Sequence, residues 1–205
     1  MLQLLKHSFL KTDRVVNLQS IPFIANCETI MASKYAEFTE RLKRTFQTIT
    51  STDEEAIFLN SFDSLKVSFR PEACIQPTTA DQIGPILSLA NEGKVPVTVR
   101  GVGSSLTGSA TPIKGGWVLD VSKLNHIKID PINRIADVGC GAVVKDIQDA
   151  AKDLNLFYPP DPSSYKWCTI GGNIACNAGG LRCVKSGVTR DYIRSLKGCL
   201  PTGEF

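Results

Sequence analysis

Between residues 169 and 180 the chain reads TIGGNIACNAGG, four glycines and two asparagines in twelve residues. This run sits inside a longer stretch, PPDPSSYKWCTIGGNIACNAGGLRCVKSGVTRD, covering 159–191. Long glycine-rich connections inside compact domains are usually functional. Such backbone can lie flat against a planar group, with Thr169, Asn173 and Asn177 supplying hydrogen bonds. The stretch holds no histidine, and no carboxylate between Asp161 and Asp191. Side-chain acid–base work is therefore not expected there, and a bound cofactor that carries its own reactivity fits better.

A second glycine-rich segment, RGVGSSLTG at 100–108, directly follows the β-prone run VPVTV at 95–99. Glycines and small hydroxyl residues let consecutive amides approach an anion, so the loop suits a diphosphate without many cationic side chains. Two better-known phosphate loops are excluded. A G-x-G-x-x-G fingerprint needs glycine where Leu106 stands and a helix where Pro112 and Gly115-Gly116 follow. A Walker A loop ends in G-K-[ST], but Ser109 follows Gly108. On its own the loop is compatible with a diphosphate nest and with a plain glycine-rich turn.

The remaining pattern mixes helices and strands. Tyr35, Phe38, Leu42, Phe46 and Ile49 give helical spacing over 34–49. Thr52 and Glu55 predict a capping box opening a short helix. Thr79 and Gln82 predict another, opening a helix that carries Ile83, Ile86, Leu87 and Ala90 and ends with Gly93 at C′. Strands are expected at 65–69, 73–76, 95–99, 117–121, 134–138 and 195–200, and a helix carries Val143, Val144, Ile147, Ala151 and Leu154. Strands are not each followed by a helix, which favours α+β over a doubly wound parallel sheet.

Composition removes several function classes. A net charge of +3 with scattered Lys and Arg gives no nucleic-acid footprint. The seven cysteines include no C-x-x-C pair, so a disulfide framework and a zinc site are disfavoured and reduced thiols in a cytoplasmic protein are expected. With His7 and His126 alone and no acidic cluster beside them, no metal site is expected; His126 reads as a surface or packing residue. No apolar stretch reaches the ~18 residues of a membrane span. Residues 1–30 carry Lys6, Lys11 and Arg14 but no h-region or cleavage site. Met31, followed by Ala32 and Ser33, is the expected translation start, and 1–33 is expected to be a disordered or non-native extension.

Together, VPVTVRGVGSSLTGSATPIKGGWVLDVSKLNHI and PPDPSSYKWCTIGGNIACNAGGLRCVKSGVTRDYI resemble the two cofactor segments of FAD-dependent oxidoreductases with the vanillyl-alcohol-oxidase-type fold. The likeness is to the branch containing the glycolate oxidase FAD subunit and D-lactate dehydrogenase, and it covers about 65–205. It implies an α+β architecture of two subdomains with FAD between them, the second incomplete. The domain reading is a 1–33 extension, a 34–64 helical segment and a 65–205 FAD-binding domain. By position the resemblance assigns Arg100, Gly101, Val102, Gly103, Ser104, Ser105, Leu106 and Gly108 to the diphosphate, through backbone amides and the Ser104 and Ser105 hydroxyls. Pro160, Asp161, Thr169, Ile170, Gly171, Gly172, Asn173, Ala175, Asn177, Gly179 and Gly180 are assigned to the cofactor towards its flavin end.

Some relatives tether FAD through a histidine in the first loop. None lies in 100–108, so non-covalent FAD is expected. Ser104-Ser105 replaces the relatives' Gly or Ser followed by Thr. No catalytic residue is assigned, because in the family the acid- and histidine-bearing substrate site lies in a later part. The implied reaction is oxidation of a small 2-hydroxy acid with hydride transfer to flavin. The implied setting is cytoplasmic or peripheral at the inner membrane, with a partner electron-transfer subunit. Two further readings stay open: an inactive fragment with an exposed edge at 195–205, and an FAD-binding subunit completed by a separate chain.

Overall fold

The computed structural model of the chain describes residues 22–205, with side chains from residue 34 onward. The expected extension over 1–33 falls on residues 1–21, outside the described residues, and on the opening of helix α1, Pro22–Thr45, of which only backbone is described. The chain divides into two units, Met1–Ala36 and Glu37–Phe205. The first holds the opening turns of α1. The second holds every described strand and the remaining helices.

A four-stranded sheet organises the first half of the second unit. Its strands are β1 (Thr50–Ser51), β2 (Ala73–Ile75), β3 (Val97–Arg100) and β4 (Trp117–Asp120), in the order β1-β2-β4-β3. β2, β4 and β3 are parallel, and β1 closes one edge antiparallel. Trp117, Val118 and Leu119 of central β4 are all buried, as a parallel strand covered on both faces requires. Helix α2 (Glu54–Leu59) packs Ile57 against Cys74 and Val118. Trp117 donates its Nε1 hydrogen to Thr39 Oγ1 at 2.9 Å, and Thr39 passes its own hydrogen to Glu72 Oε2 at 3.2 Å. A buried indole N–H thus finds its partner on α1.

Helix α3 (Ile83–Gly93) follows a single 3₁₀ turn, Ala80–Gln82. Gln82 Oε1 accepts from the amides of Thr78 and Thr79 at 2.8 and 3.2 Å, so the expected cap is formed at this end. At the other end the left-handed cap is Lys94, with φ 51°, rather than Gly93. Gly93 is instead held glycine by Phe38, whose ring atom Cγ would stand 2.5 Å from a Cβ there. The α2 cap also shifts by one residue: Asp53, not Thr52, accepts from Ala56 N at 2.8 Å, because a carboxylate at that position reaches the amide.

The second half is built on a hairpin, β5 (Ile127–Asp130) with β6 (Ile135–Val138), and helices α4 (Val144–Asp153), α5 (Ile170–Cys176) and α6 (Cys183–Ser186). Ala142, Ile147 and Ile170 form its core, with Ile127, Val138, Tyr158 and Ile174 packed against them.

Two expected strands do not form. Residues 65–69 leave the pleat at Lys66, whose φ is 64°, and Lys66 N bonds back to Asp63 O at 3.0 Å. Residues 195–200 form no strand and have no partner strand among the described residues. The sheet edge expected there is therefore not formed. The turn after them is present, with Gly203 N bonding Leu200 O at 2.8 Å, and Thr202 O accepts from Ser88 Oγ of α3 at 2.8 Å.

Candidate functional site

β3 ends at Arg100, opposite Asp120 of β4, and the chain enters the glycine-rich loop. The loop is exposed or half-exposed from Gly101 to Ser109 and becomes buried only at Ala110. Its start is tied to the second segment. Gly101 lies so close to Thr169 that a Cβ there would overlap Thr169 Oγ1 and stand 3.2 Å from Cγ2. The two motifs, separated in sequence, thus meet in space. An isolated bridge between Val143 and Thr169, and Ile170 N bonding Ala142 O at 2.8 Å, fix the second segment to the head of α4.

Arg100 points inward. Its Nη1 donates to Phe62 O at 2.6 Å and to Ala110 O at 3.3 Å, and Nη2 donates to Leu59 O at 3.3 Å. Burial lowers its pKa, while the charges of Asp120 and Asp63 act to hold it charged. The guanidinium is therefore turned under the loop, which leaves the expectation of diphosphate contact through the loop's backbone amides untouched. Val102 and Leu106 are exposed. The Ser105 hydroxyl is shared inside the loop, 2.8 Å from Thr107 Oγ1 and 3.2 Å from Ser109 Oγ, and it accepts from Thr107 N at 3.1 Å. Thr107 and Ser109 therefore join the hydroxyl cluster, and the alternation S-x-T-x-S over 105–109 was their signal in sequence. Ser64 was not foreseen either. Its amide donates to Gly103 O at 3.1 Å, from just ahead of a segment expected to be strand.

The segment expected to lie flat is largely helical. α5 opens directly after Thr169, with Gly171 N bonding Cys140 O at 2.9 Å, and closes at Asn177 in the left-handed region, φ 48°. Glycine belongs where backbone must press against neighbouring backbone, and Gly171 does so. Asn173 is buried, Gly172 and Ala175 are exposed, and Asn177 Oδ1 accepts from Arg190 N at 3.1 Å. Pro160 O accepts from Gln148 Nε2 at 2.8 Å. Asp161 accepts from Arg182 N at 3.1 Å and pairs with Arg182 Nε at 3.5 Å. Gly179 and Gly180, with Pro162, Ser163 and Leu181, line a shallow cleft of about 320 Å³.

The accessible backbone from Gly101 to Gly108, with the Ser105, Thr107 and Ser109 hydroxyls beside it, fits the diphosphate of a dinucleotide. Asn173 Nδ2 in the second segment and Thr111 Oγ1 just past the first are buried without a hydrogen-bond partner in the protein. The nearby thiols of Cys140 and Cys168 are pushed up by burial, so neither is poised as a nucleophile at neutral pH. Among the described residues no group of three His, Cys, Asp or Glu side chains is placed to hold a metal ion, and no helix is long and apolar enough to cross a membrane.

Residues 71–205 match the model of a family described as FAD binding domain. The chain is 41% identical over 137 residues to a D-lactate dehydrogenase of Anaerostipes hadrus, covering 66% of this chain and 29% of that protein. It is 46% identical over 136 residues to the glycolate oxidase subunit GlcD of Bacillus subtilis, again covering 66% and 29%. The chain therefore spans about three tenths of the length of these relatives. Among solved structures, an alkyldihydroxyacetonephosphate synthase aligns with TM-score 0.69 at 22% identity, over 77% of this chain and 35% of that one. The 6-hydroxy-D-nicotine oxidase of Arthrobacter nicotinovorans aligns with TM-score 0.66 at 24% identity, over 75% and 34%. Both likenesses are of fold, and they bear out the α+β architecture of vanillyl-alcohol-oxidase-type proteins.

Proposed function

This chain belongs to the FAD-binding domain family, with FAD as its cofactor; on that premise we propose that it is the cofactor-holding part of an oxidoreductase that oxidises a small 2-hydroxy acid of the D-lactate or glycolate class. The observation that carries the reading is the contact of Gly101 with Thr169, which joins a diphosphate-type loop to the Thr169–Gly180 segment. The names of the two relatives, D-lactate dehydrogenase and glycolate oxidase subunit GlcD, support the substrate class.

When bound, FAD supplies the electron-accepting chemistry, and the chain's share is to hold and orient it. Gly101–Gly108 would receive the diphosphate through backbone amides, with Ser104 and the Ser105–Thr107–Ser109 hydroxyls beside it. Pro160, Asp161, Thr169–Asn173, Ala175, Asn177, Gly179 and Gly180 would face the cofactor towards the flavin. The association is non-covalent, since no histidine lies in the first loop. Asp161 is engaged with Arg182, so no free carboxylate or histidine among the assigned residues is offered as a base. That favours a second reading, in which proton abstraction and substrate binding depend on residues outside this chain and the chain alone is inactive. An electron-transfer subunit as partner rests on the likeness to a glycolate oxidase subunit.

The test is to add FAD to the purified chain, remove excess by gel filtration and record the flavin absorbance bands. Denaturation should then release free FAD. Anaerobic addition of D-lactate or glycolate bleaches the flavin if the chain suffices for the reaction, and leaves it oxidised on the second reading. A preparation that stays colourless refutes FAD binding by this chain.

A further inference from the structure

A buried guanidinium beneath an anion-type loop raises the question of which partner it serves. Arg100 spends its donors on three carbonyls, those of Leu59 and Phe62 at the end of α2 and that of Ala110 at the far end of the loop. Gly103 sits directly against it. A Cβ at Gly103 would meet Arg100 Cζ at 2.5 Å and overlap Nη2, and Gly103 is in the left-handed region at φ 69°. The Ser64 amide completes the clasp from the other side by bonding Gly103 O at 3.1 Å. Asp63 and Asp120 lie near enough to hold the guanidinium charged without taking its hydrogens.

We propose that Arg100 is the positioning residue of this loop: its guanidinium staples the end of α2 to both ends of the 100–110 segment beneath Gly103, and it gives no hydrogen bond to phosphate. The planar fork is the reason an arginine is needed. It donates in separate directions at once, which a lysine ammonium on a flexible stem does not reproduce. The loop's amides are thereby held in one shape before any ligand arrives, and a preorganised loop binds more tightly because its ordering cost is already met. The positioning role rests on the reading that 100–108 receives a diphosphate.

The staple itself is tested without ligand, by a double-mutant cycle of Gly103→Ala and Arg100→Met read as thermal midpoints. In the parent chain the new methyl must displace the guanidinium as well as bear the left-handed backbone. Beside methionine only the backbone strain remains. The midpoint drop for Gly103→Ala is expected to be at least twice as large in the parent background as in the Arg100→Met background, and equal drops overturn the staple. If Arg100→Met does not fold, Arg100→Lys carries the same cycle. The second readout is FAD titration at 50 and 500 mM NaCl. Arg100→Met is expected to weaken binding at least tenfold, Arg100→Lys not to restore it, and the ratio of the two dissociation constants to stay as in the parent chain. Rescue by lysine, or a flattened salt response in the methionine variant, overturns the claim that the guanidinium stays off the phosphate. A parent chain that binds no FAD removes the positioning role together with the proposed function, while the cycle still decides the staple.

Discussion

Gly101 and Thr169 occupy each other's space so closely that only a hydrogen at Gly101 fits beneath the threonine hydroxyl. This contact brings two distant segments together. Gly101 is not in the left-handed region, so alanine there meets a steric and not a conformational objection. Gly101→Ala is expected to push the segments apart and weaken FAD binding about tenfold, which corresponds to about 1.4 kcal/mol. Thr169→Ala in the same chain removes Oγ1 and Cγ2 and leaves Cβ at 3.3 Å, so the double variant should recover most of the affinity. Flavin fluorescence titration of the three proteins checks both parts.

Neighbouring glycines in α5 should behave oppositely. A Cβ at Gly171 would stand 2.8 Å from both Cβ and O of Cys140, and the backbone of Cys140 cannot step aside while it accepts from Gly171 N. Gly171→Ala is expected to destabilise by about 1–3 kcal/mol through overpacking. Gly172 is exposed, and its nearest atom would be Thr169 Oγ1 at an ordinary 3.5 Å. Gly172→Ala is expected to stabilise α5 by up to about 1 kcal/mol, because alanine loses less backbone entropy in a helix. Urea unfolding of both variants measures the contrast.

What could be read in the sequence follows physical range. The Gln82 cap, β4 and α4 were legible because their causes lie within a few residues of each other. The composition of the two glycine segments suited a close ligand, but did not reveal that Thr169–Gly180 holds a helix. That helix is imposed by Cys140 and Ala142, which are distant in sequence. The burial of the Arg100 guanidinium was not legible, since the carbonyls that capture it, those of Leu59, Phe62 and Ala110, are distant in sequence. The run 65–69 was misread because β-prone side chains do not make a strand where the backbone bends at Lys66 and has no neighbour to join.

Thiol reactivity offers a map of the fold that needs no cofactor. Burial pushes the Cys74 thiol up to about 11, and Cys168 is raised for the same reason. At pH 8 about one part in a thousand of Cys74 is thiolate, and the thiolate is the reacting form. Cys176 is exposed and free. Brief iodoacetamide treatment of the native protein at pH 8 should alkylate Cys176 and spare Cys74 and Cys168, whereas treatment in denaturant should alkylate all three. Peptide mapping by mass spectrometry reads the pattern, and rapid native labelling of Cys74 would contradict the packing of α2 on β2 and β4.

Glu72 should leave a signature in the pH dependence of stability. It accepts from Thr39 Oγ1 at 3.2 Å, at the end of the chain of hydrogen bonds that begins on buried Trp117. Burial raises its pKa above the ordinary 4.5, outweighing the Thr39 hydrogen bond, which lowers it. A carboxyl that is harder to ionise in the folded state binds more protons there than in the unfolded chain. Its contribution is therefore fully present below pH 4.5 and is lost as pH rises through the raised folded value. Glutamine keeps an acceptor for the Thr39 hydroxyl and carries no charge at any pH. Glu72→Gln is expected to match the parent chain in thermal midpoint at pH 4 and to exceed it at pH 7, with the gap opening between. Titrations of every other group are common to both proteins and cancel in that difference. An offset that is the same at pH 4 and pH 7, or a variant that falls below the parent at pH 7, would show that the Glu72 carboxylate is not penalised by its surroundings.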